Sequence, residues 1–365
     1  MRLGTLIKHL EAYAPLIYQE DYDNSGLLSG NPEQEITAVM VALDCLESVL
    51  DEAIRLNCNV VITHHPIVFK GLKKLTGKNY VERVMLKAIK NDIALYAIHT
   101  NLDSMHNGVN GVICNRLGLQ HAKILNPKGG ILKKLVTFCS AAYAEKIREA
   151  LFSAGAGHIG NYSETSFSAS GSGTFKANGD ANPFVGQQGV QHREDELRIE
   201  TIYLAHQERN VLLALLENHP YEEVAYDLYP LENKLNNVGS GMIGWLEEEM
   251  EASSFLSFVK EKMNVTVIRH TAATGKNIKK VAVCGGSGSF LLQNAIAAGA
   301  DALITADFKY HEFFDADGKL MIADIGHYES EQFTSVLLKE IINNAFPDLR
   351  VQVTQQTTNP VHYFY

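Results

Sequence analysis

The sequence predicts an α/β fold: two discontinuous α/β halves forming one metal-binding unit, with a ferredoxin-like domain inserted between them. Three observations predict it. Short apolar runs alternate with helical patterns towards both ends of the chain, the grammar of βαβ units around a parallel sheet. The middle, about 131–234, instead follows the order strand, helix, strand, strand, helix, strand. At 365 residues the chain also exceeds a typical single domain, which an insert accounts for. The expected boundaries are therefore 1–130, 131–234 and 235–365.

Residues 2–13 place apolar side chains at helical spacing. Strands are expected at 37–43, 59–63 and 93–98, apolar runs without alternation that suit burial on both faces. Helical patterns at 46–56 and 79–90 separate them, and another follows at 108–117. The middle segment opens with a strand at 135–138 and a helix at 143–153. An alternating stretch at 162–175 and a Gly-, Asn- and Gln-rich loop at 177–189 precede a strand at 197–205, a helix at 207–218 and a strand at 224–230. Gly171-Ser172-Gly173 and the 177–189 loop are expected to be hairpin loops, because neither opens a helix after a strand. Late strands fall at 281–284, 302–305, 320–324 and 350–354, with a helix ending at Ala298 and another from 328 to about 344.

Composition narrows the function classes. The formal charge of −10 and pI near 5.8 disfavour a broad nucleic-acid surface. A local exception is the cluster Lys70, Lys73, Lys74 and Lys78, a solvated loop or an attractor of anions. Hydrophobic residues make up 46% and mean hydropathy is −0.08, with no apolar run near the roughly 18 residues of a membrane span. The N-terminus lacks the continuous apolar core of a signal peptide, so a cytoplasmic protein is expected. Five cysteines without a C-x-x-C pair argue against a disulfide framework and a thiolate zinc cage. Cys58 and Cys284, in apolar strand contexts, are expected to be core packing.

Chemistry gathers at the strand ends, where open α/β sheets bind ligands. Val60-Val61-Ile62-Thr63 runs into His64-His65-Pro66, and imidazole is the commonest metal ligand near neutral pH. The strand at 93–98 runs into His99-Thr100-Asn101-Leu102-Asp103. The strand at 320–324 leads to His327-Tyr328-Glu329-Ser330-Glu331, where the spacing of four puts His327 and Glu331 on one helix face. Glu329 points elsewhere. A fourth strand leads to Asp307, with Lys309 and His311 beyond. Each residue alone has a structural explanation; Asp103, for instance, suits the N-cap of the 108–117 helix. One shared metal site explains them together. Adjacent strand side chains diverge, so using both His64 and His65 requires a turn or two separate ions sharing a carboxylate. Histidines and carboxylates without thiolate suit zinc, iron, manganese or cobalt, and water at open coordination positions would supply hydroxide at neutral pH.

Five blocks then resemble one family: Asp23-Asn24-Ser25-Gly26-Leu27, Thr63-His64-His65-Pro66, the His99–Asp103 block, Gly326-His327-Tyr328-Glu329-Ser330-Glu331, and Thr358-Asn359-Pro360. It is the Nif-three-like family, whose members are named GTP cyclohydrolase I type 2 homologues. Asn218-His219-Pro220-Tyr221-Glu222-Glu223-Val224 resembles the PII/CutA-like insert of its longer bacterial members. Tyr22 stands where a tryptophan is expected, and Val361 where a phenylalanine is. The resemblance implies a dinuclear site of His64, His65, Asp103, His327 and Glu331, with Glu331 as the bridge, and two divalent metal ions per chain. It also implies a hexameric, hollow toroidal assembly.

The function this suggests is a metal-dependent hydrolase opening the guanine ring of GTP, with metal-bound water attacking the ring. His99, Asp307 and His311 are candidates for acid/base or supporting roles; Lys309 and the lysines after Phe69 are candidates for phosphate contact. A hydrolase of another substrate and a non-catalytic metal-binding regulatory or scaffold protein are the alternatives. A further one is nucleotide binding by Gly285-Gly286-Ser287-Gly288-Ser289, between a strand and a helix, although it lacks the Lys-Ser/Thr of a P-loop.

Overall fold

The computed structural model describes residues 1–364. The chain forms two compact units, one combining Met1–Pro127 with Asn236–Tyr365, the other Lys128–Leu235. The first part comprises α1 (Leu3–Tyr13), β1 (Gly26–Ser29), β2 (Val39–Ala42), α2 (Glu47–Arg55), β3 (Val60–Thr63), α3 (Tyr80–Lys90), β4 (Ala94–Ala97), α4 (Thr100–Asp103), α5 (Val109–Arg116) and β5 (Gln120–Lys128). The second unit contains β6 (Leu132–Cys139), α6 (Ala144–Ser153), β7 (Phe167–Lys176), β8 (Gln191–Leu204), α7 (Glu208–Asn218) and β9 (Tyr226–Leu231). The chain returns through β10 (Leu235–Met250), α8 (Ala252–Lys262), β11 (Arg269–His270), β12 (Ile278–Ser287), α9 (Leu292–Ala297), β13 (Ala302–Ala306), β14 (Met321–Asp324), α10 (His327–Glu331), α11 (Thr334–Ala345) and β15 (Val351–Val353).

In the larger unit, the central strands β2, β3 and β4 are parallel, with Val39 opposite Val60 and Val60 opposite Ala94. Their residues are buried on both faces, which is why they are apolar without alternation. The period of two still sorts their partners. Met40, Val61 and Leu95 pack on Leu50 and Ala53 of α2 and Val84 and Met85 of α3. Val41, Ile62 and Tyr96 face the opposite way, into a core shared with Leu6 and Leu10 of α1 and Leu338 and Ile342 of α11. The same core takes Val281 and Val283 of β12 and Ile304 of β13. The unit is thus two sheets with helices between them, and α9 and a 3-10 turn at Tyr310–Ala316 cover the outer face of the second sheet.

The two halves interlock more than the sequence suggests. The first sheet has the order β1-β4-β3-β2-β15 and the second β11-β14-β13-β12-β10-β5. The chain's final strand therefore completes the first sheet, parallel to β2, while β5 from the first half joins the second. Six elements carry no clear pattern in the sequence: β1, the one-turn α4, β5, the glycine-broken β10, α8 and the two-residue β11. The helix expected over 328–344 is two helices. Between α10 and α11 the Gln332 side-chain amide donates to the carbonyls of Glu329 and Met263 at 3.0 Å each, taking an acceptor that a continuous helix would use. Asp103 does not cap the 108–117 helix, since Gly108 occupies that position; it ends the one-turn α4.

The smaller unit has the order β7-β8-β6-β9, with every pairing antiparallel. With α6 and α7 as crossovers, this is the ferredoxin-like topology. Ile147 and Leu151 of α6 and Val211 and Leu215 of α7 pack on Leu135, Ile199 and Tyr203 of one sheet face. The 177–189 segment links β7 to β8 as a hairpin loop, whereas Gly171-Ser172-Gly173 lies within β7, paired with Glu196, Asp195 and Glu194 of β8. No helix among the described residues is long and apolar enough to cross a membrane.

Candidate metal centre

The larger unit brings the three ligand-bearing strand ends together. β3 leads directly to His64 and His65, whose backbone amides still donate to the carbonyls of Ala42 and Leu43. β4 leads to His99 and α4. β14 of the second sheet leads through Gly326, at φ +94°, into α10. The turn before α4 is fixed by Asp23, which accepts from His99 Nδ1 at 2.8 Å, from the Thr100 amide at 3.0 Å and from the Thr100 hydroxyl. This explains the Asp23-Asn24-Ser25 block: it holds the end of β4.

Glu331 lies at the centre. Its Oε1 is 3.8 Å from His64 Nε2, which is 3.5 Å from Asp103 Oδ1. Its Oε2 is 3.0 Å from His65 Nε2 and 3.3 Å from His327 Nε2, and those two nitrogens are 3.3 Å apart. Two sets of donor atoms thus share one carboxylate: His64, Asp103 and Glu331 on one side, and His65, His327 and Glu331 on the other. His99 joins a third grouping with His64 and His65.

Each imidazole presents Nε2 because its Nδ1 is occupied. His64 Nδ1 donates to the Ile98 carbonyl at 2.9 Å, His65 Nδ1 to Asp44 at 2.7 Å, and His327 Nδ1 to Asp307 at 2.7 Å. A carbonyl has no proton to give, so a proton sits on His64 Nδ1, and Nε2 points towards Asp103 and Glu331. His64 Nε2, Asp103 Oδ1 and Glu331 Oε2 are buried and make no hydrogen bond. Buried acceptors facing acceptors are costly unless a cation lies between them. The donor set fits a divalent ion on each side.

The electrostatics record the same crowding. Burial and the Glu331 charge push Asp103 up to about 7. Burial would raise Glu331 as well, but the imidazoles of His327, His64 and His65 hold it well below the usual carboxylate range. Burial would lower His65 and His327, yet Asp44, Asp307 and Glu331 push them up to about 9 and about 11. Without metal, protons take the place of cations.

Residues 1–360 match the family Duf34/NIF3 (NGG1p interacting factor 3). The chain belongs to the Duf34/NIF3 family. A GTP cyclohydrolase 1 type 2 homolog of Halalkalibacterium halodurans is 40% identical over 361 residues, covering 98% of this chain and 96% of that protein. One of Bacillus subtilis is 38% identical over 360 residues, covering 97% and 96%. Among solved structures, a Bacillus cereus protein related to NIF3 superposes with a TM-score of 0.83 at 38% identity, over 100% of this chain and 99% of that one.

Within this Duf34/NIF3 fold the site opens into a cleft of about 1080 Å³ that reaches His65, His99, Asp103, His327 and Glu331. Asp307 lines it too, at φ +60°, with its carboxylate on His327. His311 lies elsewhere, exposed in the 3-10 turn with its ring against Tyr310 and Phe314. Lys309, also outside the lining, is 3.9 Å from Glu312, and the lysines after Phe69 lie in an exposed loop.

The first two amides of the Gly285–Ser289 loop are taken by protein acceptors. The Gly285 amide donates to Asn110 Oδ1 and the Gly286 amide to Ser330 Oγ, both at 2.9 Å. The glycines have another use: Gly286 is at φ +62°, and a Cβ there would run into the Glu331 carboxylate. Three residues have no site role in the sequence reading, although Thr358 and Asn359 belong to one of its five family-like blocks. Asp44 follows β2, and its only local signal is its place at a strand end. Thr358 donates to Asp44 Oδ2 at 2.6 Å, and Asn359 to Glu329 Oε1 at 3.0 Å, so the C-terminal segment ties down residues beside the ligands.

Proposed function

We propose that the chain is a dinuclear metal-dependent hydrolase, with opening of the guanine ring of GTP as the first reaction to test because relatives carry the name GTP cyclohydrolase 1 type 2 homolog. The observation that carries this is the pair of donor sets sharing Glu331. One divalent ion would be held by His64, Asp103 and Glu331, and a second by His65, His327 and Glu331. When bound, such a pair supplies Lewis acidity and nucleophilic water at neutral pH. Three protein donors per ion fill fewer positions than a closed structural site uses, and the cleft gives substrate access.

The protein's own groups do the rest. Ile98, Asp44 and Asp307 keep the protons of the three imidazoles on Nδ1, so that every Nε2 remains a donor to metal. His99 is the proton carrier: with Nδ1 bound to Asp23, its Nε2 can accept a proton and return it to a substrate nitrogen. Burial would raise Asp23, but hydrogen bonds from His99, Thr100 and Asn24 keep it ionised, which fixes the His99 ring. A homohexamer, the assembly implied by resemblance, is part of this proposal.

Elemental analysis of wild type and of His64→Ala, Asp103→Ala and Glu331→Ala variants, paired with chromatography of GTP incubations, tests it. About two ions per chain, lost in the variants together with turnover, is the expected result. Two ions without turnover of any ring substrate would instead leave a metal-binding regulatory or scaffold role.

A further inference from the structure

We infer that the cleft takes an uncharged planar nitrogen heterocycle, at the level of a nucleobase or nucleoside, and disfavours a triphosphate. This rests on the hydrolase proposal and narrows its substrate class. Seven acids line the cleft: Glu20, Asp44, Asp307, Asp324 and Glu329 accompany Asp103 and Glu331. Arg269 is the one lysine or arginine among its lining residues. Its guanidinium is already committed, 3.2 Å from Asp324, donating to the Phe308 carbonyl at 2.7 Å and stacked over Phe313. Two divalent ions and Arg269 together do not offset the seven lining carboxylates when these are ionised. A triphosphate adds about four more negative charges inside low-dielectric walls, where like charges repel most strongly.

The apolar walls point the same way. Tyr22, Phe69, Tyr80, Phe290 and Tyr363 line the cleft, and each leaves much of its ring exposed, Tyr22 at 71% and Phe290 at 62%. Large aromatic side chains are normally buried, and rings held open beside a metal site offer flat faces on which a heterocycle stacks. The cleft volume of about 1080 Å³ is ample for a nucleoside. The charge pattern rejects phosphate, while the aromatic walls receive the ring.

Calorimetric titration of the metal-loaded full chain with guanosine, GMP and GTP, without added magnesium and at low ionic strength, tests this. Guanosine should bind at least about tenfold tighter than GTP, with GMP between them. The gap should narrow in high salt as the repulsion is screened. Phe290→Ala and Tyr22→Ala should each weaken guanosine several-fold, and Glu20→Lys should improve GTP relative to guanosine. GTP binding as tightly as guanosine overturns the inference and leaves the hydrolase proposal standing. Binding of none of the three, with metal retained, also overturns it and sends the hydrolase proposal to another substrate. A wild-type chain that takes up no metal at these residues overturns both.

Discussion

His65 Nε2 and His327 Nε2 face each other at 3.3 Å, and Glu331 Oε2 lies within 3.3 Å of both. The two residues come from different sheets of the larger unit, one after β3 and the other after β14. Each ring donates its Nδ1 proton in a hydrogen bond to a carboxylate, so with both rings neutral two Nε2 lone pairs would face a third acceptor. Only a proton or a metal ion relieves that arrangement.

Glu331→Gln therefore removes the charge that both donor sets share while keeping the side-chain volume. Replacing even an outer partner of a metal ligand typically costs 10–100-fold in affinity, so this change should exceed about 100-fold for both ions. Competition with a chelator of known affinity measures it. The rise in Tm that metal produces in wild type should vanish in the variant. Retention of both ions at wild-type affinity would remove Glu331 from the site.

The chain Thr358–Asp44–His65 predicts a graded effect. Thr358 Oγ1 donates to Asp44 Oδ2 at 2.6 Å, and Asp44 Oδ1 accepts from His65 Nδ1 at 2.7 Å. Asp44→Asn weakens the acceptor that orients His65 and should lower affinity for the ion on the His65 side about tenfold. Thr358→Val removes only the outer hydrogen bond and should cost a few-fold. The ion held by His64 and Asp103 should be little affected in either, so two-site titration reads the difference directly.

The sequence announced residues that sit at strand ends, and it concealed those that act from a distance. β3 and β4 are apolar runs followed abruptly by His64-His65 and His99, so both the sheet and the site residues are legible in one glance. His327 and Glu331 follow from helical spacing. Asp44 and Thr358 are 314 positions apart, and no local pattern links them. Gly285-Gly286 pointed to phosphate because glycines between strand and helix have that use in other proteins; here they make room for Glu331. β10 and β5 were hidden for a similar reason, as glycines and polar residues interrupt their apolar pattern while their pairing is set by tertiary context.

Protons and metal should compete at the site. In the metal-free chain, His65 and His327 are raised to about 9 and about 11, and Asp103 to about 7. A histidine raised on folding contributes stability that is complete below about 6.5 and lost as pH rises through its folded value. Asp103, a carboxyl raised on folding, shifts stability in the same direction between about 4 and 7. Metal-free protein should therefore lose Tm steadily from pH 6 to 9. Metal displaces the protons, so the gap between metal-loaded and metal-free Tm should widen over that range. Differential scanning at fixed ionic strength gives both curves. A gap that narrows with rising pH would mean that these imidazoles do not exchange protons for metal.

Gly286→Ala tests the claim that the loop serves Glu331. At φ +62° an L-residue is strained by about 1–3 kcal/mol. The added methyl must also displace the Glu331 carboxylate, since its Cβ would overlap Oε1. The variant should lose stability of that order and also lose affinity for both ions. Gly299→Ala provides the control: it has a similar positive φ of +71° with open space around its Cβ. That change carries the strain alone, so its Tm should fall while metal affinity stays at the wild-type value. If the two alanine variants instead bind metal equally well, the carboxylate can accommodate the methyl, and the glycine at 286 is there for its backbone conformation only.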